Sequence, residues 1–261
     1  MISHLSYLEI IAALLITTTF CWFSFYKNWL TAGGGVLAGI IGLIILLAGG
    51  LKLSLPILLF FISGSLFGKL KTSAEVKGVK DKKPRDYLQV FCNGGIPAIC
   101  IILFLFTTNE IFITGYFISI SICTSDTWSS ELGTFYKGVV LDIITLKKVS
   151  KGKSGGISFM GTLAGLAGAF ITGILYYFLY QADILISLLI TAGGFAGMLL
   201  DSILGSTLQV SYILPNGERT ESPGTGAVSE KGLSFITNDL VNLVSNVVIT
   251  FSTLCLLYYY G

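Results

Sequence analysis

The stretch SDTWSSELG, residues 125–133, closes a run from Ile111 in which no charge appears before Asp126, and Glu131 follows five positions later. Carboxylates at the end of so apolar a segment suit oxygen coordination of a hard cation such as Mg²⁺, proton abstraction, or ion carriage. Five residues of regular helix turn through about 500°, so Asp126 and Glu131 lie about 140° apart and do not share one face. Either the helix breaks between them or each serves a different partner. Asp126 is expected to face a metal site with Asp201 and Asp239, while Glu131 pairs with a lysine or fixes the loop at Gly133.

Four further clusters carry polar chemistry. Gly193, Gly197, Asp201, Gly205 and Gln209 recur every four residues, a stripe in which small residues admit a neighbouring backbone and two polar groups face it. In NDLVNLVSN, Asn238, Asn242 and Asn246 share one face with Asp239 beside them. Asp239 and Asn242 suit a metal or an Mg²⁺-bound phosphate, the alternative being an N-cap followed by a packing ladder. QVFCNGGIPA sets Asn93 before two glycines and Pro97, which predicts a broken or kinked helix. SKGKSGGISFMGTLAG presents Lys151, Lys153, Ser154, Gly155 and Gly156 ahead of a helix, a turn whose backbone N–H groups suit an anion. It is not a P-loop, because Lys147 stands where Walker A needs glycine. Lys69 and Lys71 head a basic loop placed to attract polyphosphate, or to fix topology.

The elements that hold these groups are membrane helices. Of 261 residues 53% are apolar and 11% charged, with a mean hydropathy of +0.83, far from the roughly 25% charge of a soluble domain. The expected fold is all-α: one polytopic integral membrane domain over 1–261, with spans near 5–26, 30–50, 53–68, 87–107, 111–132, 157–179, 184–210 and 234–258. Pro56 leaves the third as the one open to a re-entrant course. With eight spans, fifteen of sixteen Lys and Arg fall on one side and only Lys52 on the other. The basic side is then cytoplasmic and both termini lie outside. Asn93, Asp126, Glu131, the Gly155–Gly156 turn, Asp201, Gln209 and Asn238 to Asn246 all map to cytoplasmic halves of different spans, as expected of one shared site. The five cysteines lie in apolar runs without a CxxC pair and read as core residues.

At QVFCNGG, SDTWSSELG, SGGISFMGTLAG, DSILGSTLQ and NDLVN, in that order, the chain resembles an integral-membrane family that includes plastid phytyl-phosphate kinase and animal transmembrane protein 19. More distantly it is similar to dolichol and phytol kinases and to membrane cytidylyltransferases. The resemblance implies that Asn93, Asp126, Glu131, Gly155, Gly156, Asp201, Asn238, Asp239 and Asn242 build the site, with Lys153 where the family's turn has Thr. It implies phosphoryl transfer from a nucleoside triphosphate, CTP above others, to a membrane-embedded isoprenyl monophosphate. Asp126, Asp201 and Asp239 would hold Mg²⁺; Lys69, Lys71, Lys153, Ser154, Gln209 and the asparagines would bind substrate. Nucleic acid is not an expected partner, and self-association is left open. The alternatives are a secondary transporter or ion carrier, which uses the same intramembrane acids but near the midplane, and a lipid-phosphate cytidylyltransferase.

Overall fold

The computed structural model describes residues 6–73, 83–215, 219–221 and 225–260. The protein is a polytopic helical membrane protein. Among the described residues there are seven α-helices: α1 (Tyr7–Tyr26), α2 (Ala32–Ser73), α3 (Tyr87–Thr107), α4 (Ile111–Gly133), α5 (Phe159–Tyr180), α6 (Ile184–Thr207) and α7 (Asn238–Tyr260). Short strands occupy the long connections. β1 (Leu141–Asp142) pairs antiparallel with β2 (Gly156–Ile157), and β3 (Ser211–Ile213) lies between β4 (Arg219–Thr220) and β5 (Val228–Lys231).

The second and third expected spans are the two limbs of α2. A straight helix would separate Gly34 from Gly64 by about 45 Å. Both nevertheless touch Arg85: a Cβ on Gly34 would lie 2.4 Å from its carbonyl oxygen, and one on Gly64 2.7 Å from its Nη2. The chain therefore doubles back, and it does so at Gly49–Gly50, where Gly50 has φ +58° and ψ −145°. That conformation is open essentially to glycine alone. Limbs 32–48 and 51–73 thus run in opposite directions.

Six of the helices are long and apolar enough to cross a bilayer; α4 is the exception. It packs against α2, α3, α5, α6 and α7, so protein rather than lipid surrounds its Ser119, Ser121, Thr124 and Ser125, all fully buried. A helix screened from lipid on all sides needs no apolar coat. Its hydroxyls act as interhelical ties. Ser125 Oγ donates to the Gly165 carbonyl at 2.8 Å, and Ser119 Oγ donates to Asn246 Oδ1 at 2.7 Å. Asn246 Nδ2 donates back to the Ser119 carbonyl at 3.2 Å, so this asparagine serves packing. Glycines bring the neighbours close: Gly161, Gly165 and Gly168 of α5 lie against Ser129, Ser125 and Thr124, in the reverse order along α4. On α6 the order is parallel, with Gly193 against Ile118 and Gly197 against Ile122.

Two expectations are corrected. First, of the broken or kinked course expected for the fourth span the break does not occur: α3 is continuous from Tyr87 to Thr107, with Pro97 inside it. Proline at 97 removes the donor for the carbonyl of residue 93. The Cys123 thiol of α4 takes its place, donating to the Asn93 carbonyl at 3.2 Å, so the helix absorbs the proline without breaking. Second, α6 ends at Thr207, and Gln209 lies beyond the stripe it was expected to extend. The chain there is captured by backbone bonds to the segment before α7: Val210 N–H to the Ile236 carbonyl and Leu233 N–H to that of Leu208, each 3.0 Å.

Candidate active site

The parallel register of α4 and α6 dictates what lies opposite Asp126. One turn beyond the Gly197–Ile122 contact, both helices present a carboxylate, Asp201 and Asp126, and the two are close enough for each charge to act on the other. Asp201 is buried. With its carboxamide turned so that both atoms find partners, Asn242 donates to Asp201 Oδ2 at 2.7 Å and to the Asn238 carbonyl at 3.3 Å. Ser245 Oγ lies 3.4 Å from the same Asp201 oxygen, and 3.1 Å from the Asn242 carbonyl to which it donates. Thus α7 fixes the Asp201 side chain, and the Asn238–Asn242–Asn246 face divides between a site contact and a packing tie.

The regularity of α4 to Gly133 separates Asp126 from Glu131. Asp126 turns to α6; Glu131 is buried, and its charge acts on Arg85 as well as on Asp126. Arg85 is thus one cation in its field. Asp239 lies elsewhere, across the α3–α7 junction in the field of Asp86, the N-cap of α3. Among the described residues no group of three or more His, Cys, Asp or Glu is gathered to hold a metal. Of the three carboxylates expected to hold the ion, Asp126 and Asp201 lie in one field and Asp239 in that of Asp86. Two like charges side by side in a protein interior are costly unless a cation or proton lies between them, and Mg²⁺ commonly takes one or two carboxylates and completes its shell with water and phosphate oxygens. The pair fits such an ion.

The Ser154–Gly156 turn docks on the end of α6. Gly155 has φ +78°, and a Cβ there would lie 2.4 Å from that of Ser206, so only glycine satisfies both backbone and space. The Ser154 N–H donates to Glu221 Oε1 at 2.9 Å and that of Gly156 to the Lys153 carbonyl at 3.0 Å. Of the Gly155 and Gly156 N–H groups expected to face an anion, that of Gly156 is thus already engaged. Ser154 Oγ donates to Gln209 Oε1 at 2.6 Å, so Gln209 joins the turn although it has left the helix.

Asp142, Glu221 and Lys231 were not singled out by spacing, and they complete this cap. Asp142 Oδ1 accepts from the N–H groups of Ile144 and Thr145, and its Oδ2 accepts from Ser206 Oγ at 2.8 Å. Burial opposes its charge, but the bonds from Thr145, Ser206 and Ile144 outweigh it and hold the carboxyl at about 2. Lys231 Nζ donates to the Ser206 carbonyl at 2.9 Å; burial, then nearby Lys153, press its pKa down. The charge of Glu221 reaches Asp201. Because Asp142 is depressed below its unfolded value of about 4, its stabilisation is complete above that pH and is lost as pH falls towards about 2. Asp142→Asn is expected to lower cap stability by about 1–3 kcal/mol at neutral pH and to flatten that acid dependence. Hydrogen exchange of residues 141–157 between pH 6 and 3 measures both.

Of the predicted lysines, Lys69 lies over the Trp29 ring, its Nζ 5.5 Å from the centroid. Lys153 is half-buried in the cap, and the Lys71 side chain lies outside the described residues. Arg85 is the cation that spacing did not single out, being one of seven in a basic loop. Its guanidinium lies over Phe60 and Phe61, 5.4 and 5.3 Å from their centroids, against Gly64 and within reach of Glu131. The one local hint was its place beside the helix-capping Asp86.

Comparison with known proteins agrees with this architecture. The chain is 40% identical to an uncharacterized membrane protein of Methanocaldococcus jannaschii over 183 residues, 70% of this chain and 76% of that protein. It is 29% identical to Protein PGR of Arabidopsis thaliana over 94% of this chain and 95% of that one. It is also 26% identical to the chloroplastic Protein VTE6 of the same plant over 83% of this chain and 62% of that one. No solved structure matches. The integral membrane protein DUF92 family matches residues 15–250, and the chain belongs to that family.

Proposed function

We propose that the protein is a membrane phosphotransferase that moves the terminal phosphoryl group of a nucleoside triphosphate, with CTP as the expected donor, to an isoprenyl monophosphate such as phytyl or geranylgeranyl phosphate. The products are the prenyl diphosphate and the nucleoside diphosphate. The observation that carries the reading is the Asp126–Asp201 pair, held by Asn242 at one end of a membrane bundle. Its support is the match of this chain's motifs to a family that includes phytyl-phosphate kinase.

An oxygen of the acceptor phosphate attacks the terminal phosphorus as the bond to the bridging oxygen breaks, and the nucleoside diphosphate leaves. The acceptor is already anionic, so positioning and charge neutralisation do most of what is required. Asp126 and Asp201 would hold Mg²⁺, which when bound offsets donor charge and orients the phosphates. Lys153 and Lys231, which share the neighbouring cap with Asp142, Glu221 and Glu230, would supply cations to the donor phosphates. The distribution of Lys and Arg supports a cytoplasmic position for this end, where nucleotide is available. Clustering at one end, rather than at the midplane, is what separates this reading from an ion carrier.

Purified protein with Mg²⁺, labelled CTP and geranylgeranyl monophosphate is expected to yield the labelled diphosphate. Absence of turnover across four nucleoside triphosphates and a panel of prenyl phosphates, with proton or solute flux in liposomes instead, would leave the carrier reading standing in its place.

A further inference from the structure

An apolar cleft lies between α1, both limbs of α2 and α3. Its walls include Phe20, Ile41, Gly42, Leu46 and Leu58. Along the second limb of α2 it runs from Leu51 to Phe61, about 15 Å of helix, which suits a prenyl chain of a few isoprene units. One end is polar, formed by Arg85, Gln89 and Asn93. Both α1 and α3 line the cleft while α1 packs chiefly on α2, so it faces the bilayer at its side.

Arg85 is built into that end. Its backbone is pinned between Trp29 and Thr31, with Arg85 N–H donating to the Trp29 carbonyl and Thr31 N–H to the Arg85 carbonyl, each 3.0 Å. The guanidinium lies over the rings of Phe60 and Phe61. A guanidinium carries five N–H donors in its plane. No hydrogen bond to this guanidinium occurs among the described residues. A Cβ on Gly64 would lie 2.7 Å from both Arg85 Nη2 and Thr127 Cγ2, so the cation borders the residue next to Asp126.

We infer that this cleft holds the isoprenoid tail of the acceptor and that Arg85 binds the acceptor's phosphate where the tail meets the Asp126–Asp201 pair. The inference rests on the phosphotransferase reading and adds to it a tail site and a specificity wall. The occupant is an isoprenyl monophosphate: the apolar walls suit the chain, and a fork of donors suits a dianionic head.

The test is equilibrium binding to the full chain in nanodiscs, without nucleotide or Mg²⁺. Geranylgeranyl monophosphate is expected to bind, geranylgeraniol to bind at least about tenfold more weakly, and phosphatidic acid not to displace the prenyl phosphate. Arg85→Gln should reduce monophosphate affinity about tenfold or more without altering that of the alcohol, and Arg85→Lys should restore part of it. Gly42→Leu, which projects into the cleft beside Thr17, should weaken the twenty-carbon ligand while sparing dimethylallyl monophosphate. Equal binding by wild type and a folded Arg85→Gln, indifference to Gly42→Leu, or full displacement by phosphatidic acid overturns the inference. Binding as described but with no transfer from any nucleotide removes the phosphotransferase reading and keeps the cleft. Turnover with an unchanged KM in Arg85→Gln does the reverse.

Discussion

Asp201→Asn is expected to reduce phosphoryl transfer on the order of a thousandfold, equivalent to about 4 kcal/mol of transition-state stabilisation, while leaving the fold intact. The substitution keeps shape and removes charge. An Asn at 201 accepts from Asn242 and Ser245 as the carboxylate does, so the α6–α7 contact survives, and relief of like-charge proximity to Asp126 offsets lost charge-assisted bonding. Asp126→Asn should act similarly, and the double variant should be little worse than either alone, because two residues that serve one ion fail together. Glu131→Gln is the contrasting case. Its charge acts on Arg85, so its effect should fall on acceptor KM more than on kcat. Initial rates against both substrates, with thermal unfolding as the control, separate these outcomes. A fully active Asp201→Asn would remove Asp201 from the chemistry.

The second large effect is mechanical. Gly194→Val is expected to abolish activity and to destabilise the bundle by about 3 kcal/mol or more, since overpacking a rigid contact costs upward of 1–3 kcal/mol. A Cβ at 194 would stand 1.9 Å from Ser121 Oγ, 2.7 Å from its Cβ and 3.0 Å from its backbone carbon. Rotating the hydroxyl away cannot relieve a clash with Cβ and main chain, so α6 must move off α4. That movement parts Asp201 from Asp126, so activity and stability should fall together. Gly194→Ala alone should be milder, and combining it with Ser121→Gly should recover most of the loss, leaving only the 3.0 Å contact. Melting temperature in detergent and transfer activity measure the pair. Additivity of the two substitutions would contradict the contact.

Much of the site could be read in advance, though not its grouping. The four-residue stripe on α6 marked Gly193, Gly197 and Asp201, and those residues do face α4, yet the tightest contact belongs to Gly194, one step off the stripe. A helix buried on a wide arc has no single face, and spacing alone cannot show which residue approaches nearest. Asn238, Asn242 and Asn246 were legible as a face, but only packing divides it. Asn242 meets Asp201, while Asn246 fills the bonds of Ser119 on α4. Asp239 belonged to the same pattern and lies towards Asp86 instead, because one residue step on a helix turns a side chain by about 100°. Arg85 was hidden for the opposite reason. In a basic loop every cation has the same sequence neighbourhood, and the backbone bonds to Trp29 and Thr31 that single it out join segments far apart in the chain.

What the sequence determined by itself was local in origin. Apolar runs of bilayer length become helices because every backbone group must be satisfied within the segment, and Gly49–Gly50 permits a reversal that other residues resist. The tertiary structure alone decided that α4 and α6 run parallel in a register that sets Asp126 against Asp201. It also placed Cys123 to serve the carbonyl that Pro97 leaves open, and Arg85 between an apolar cleft and an acidic site. These contacts join residues 30 to 75 positions apart. Their positions follow from how closely glycine-faced helices can approach, a property of pairs of surfaces that no single segment of the chain contains.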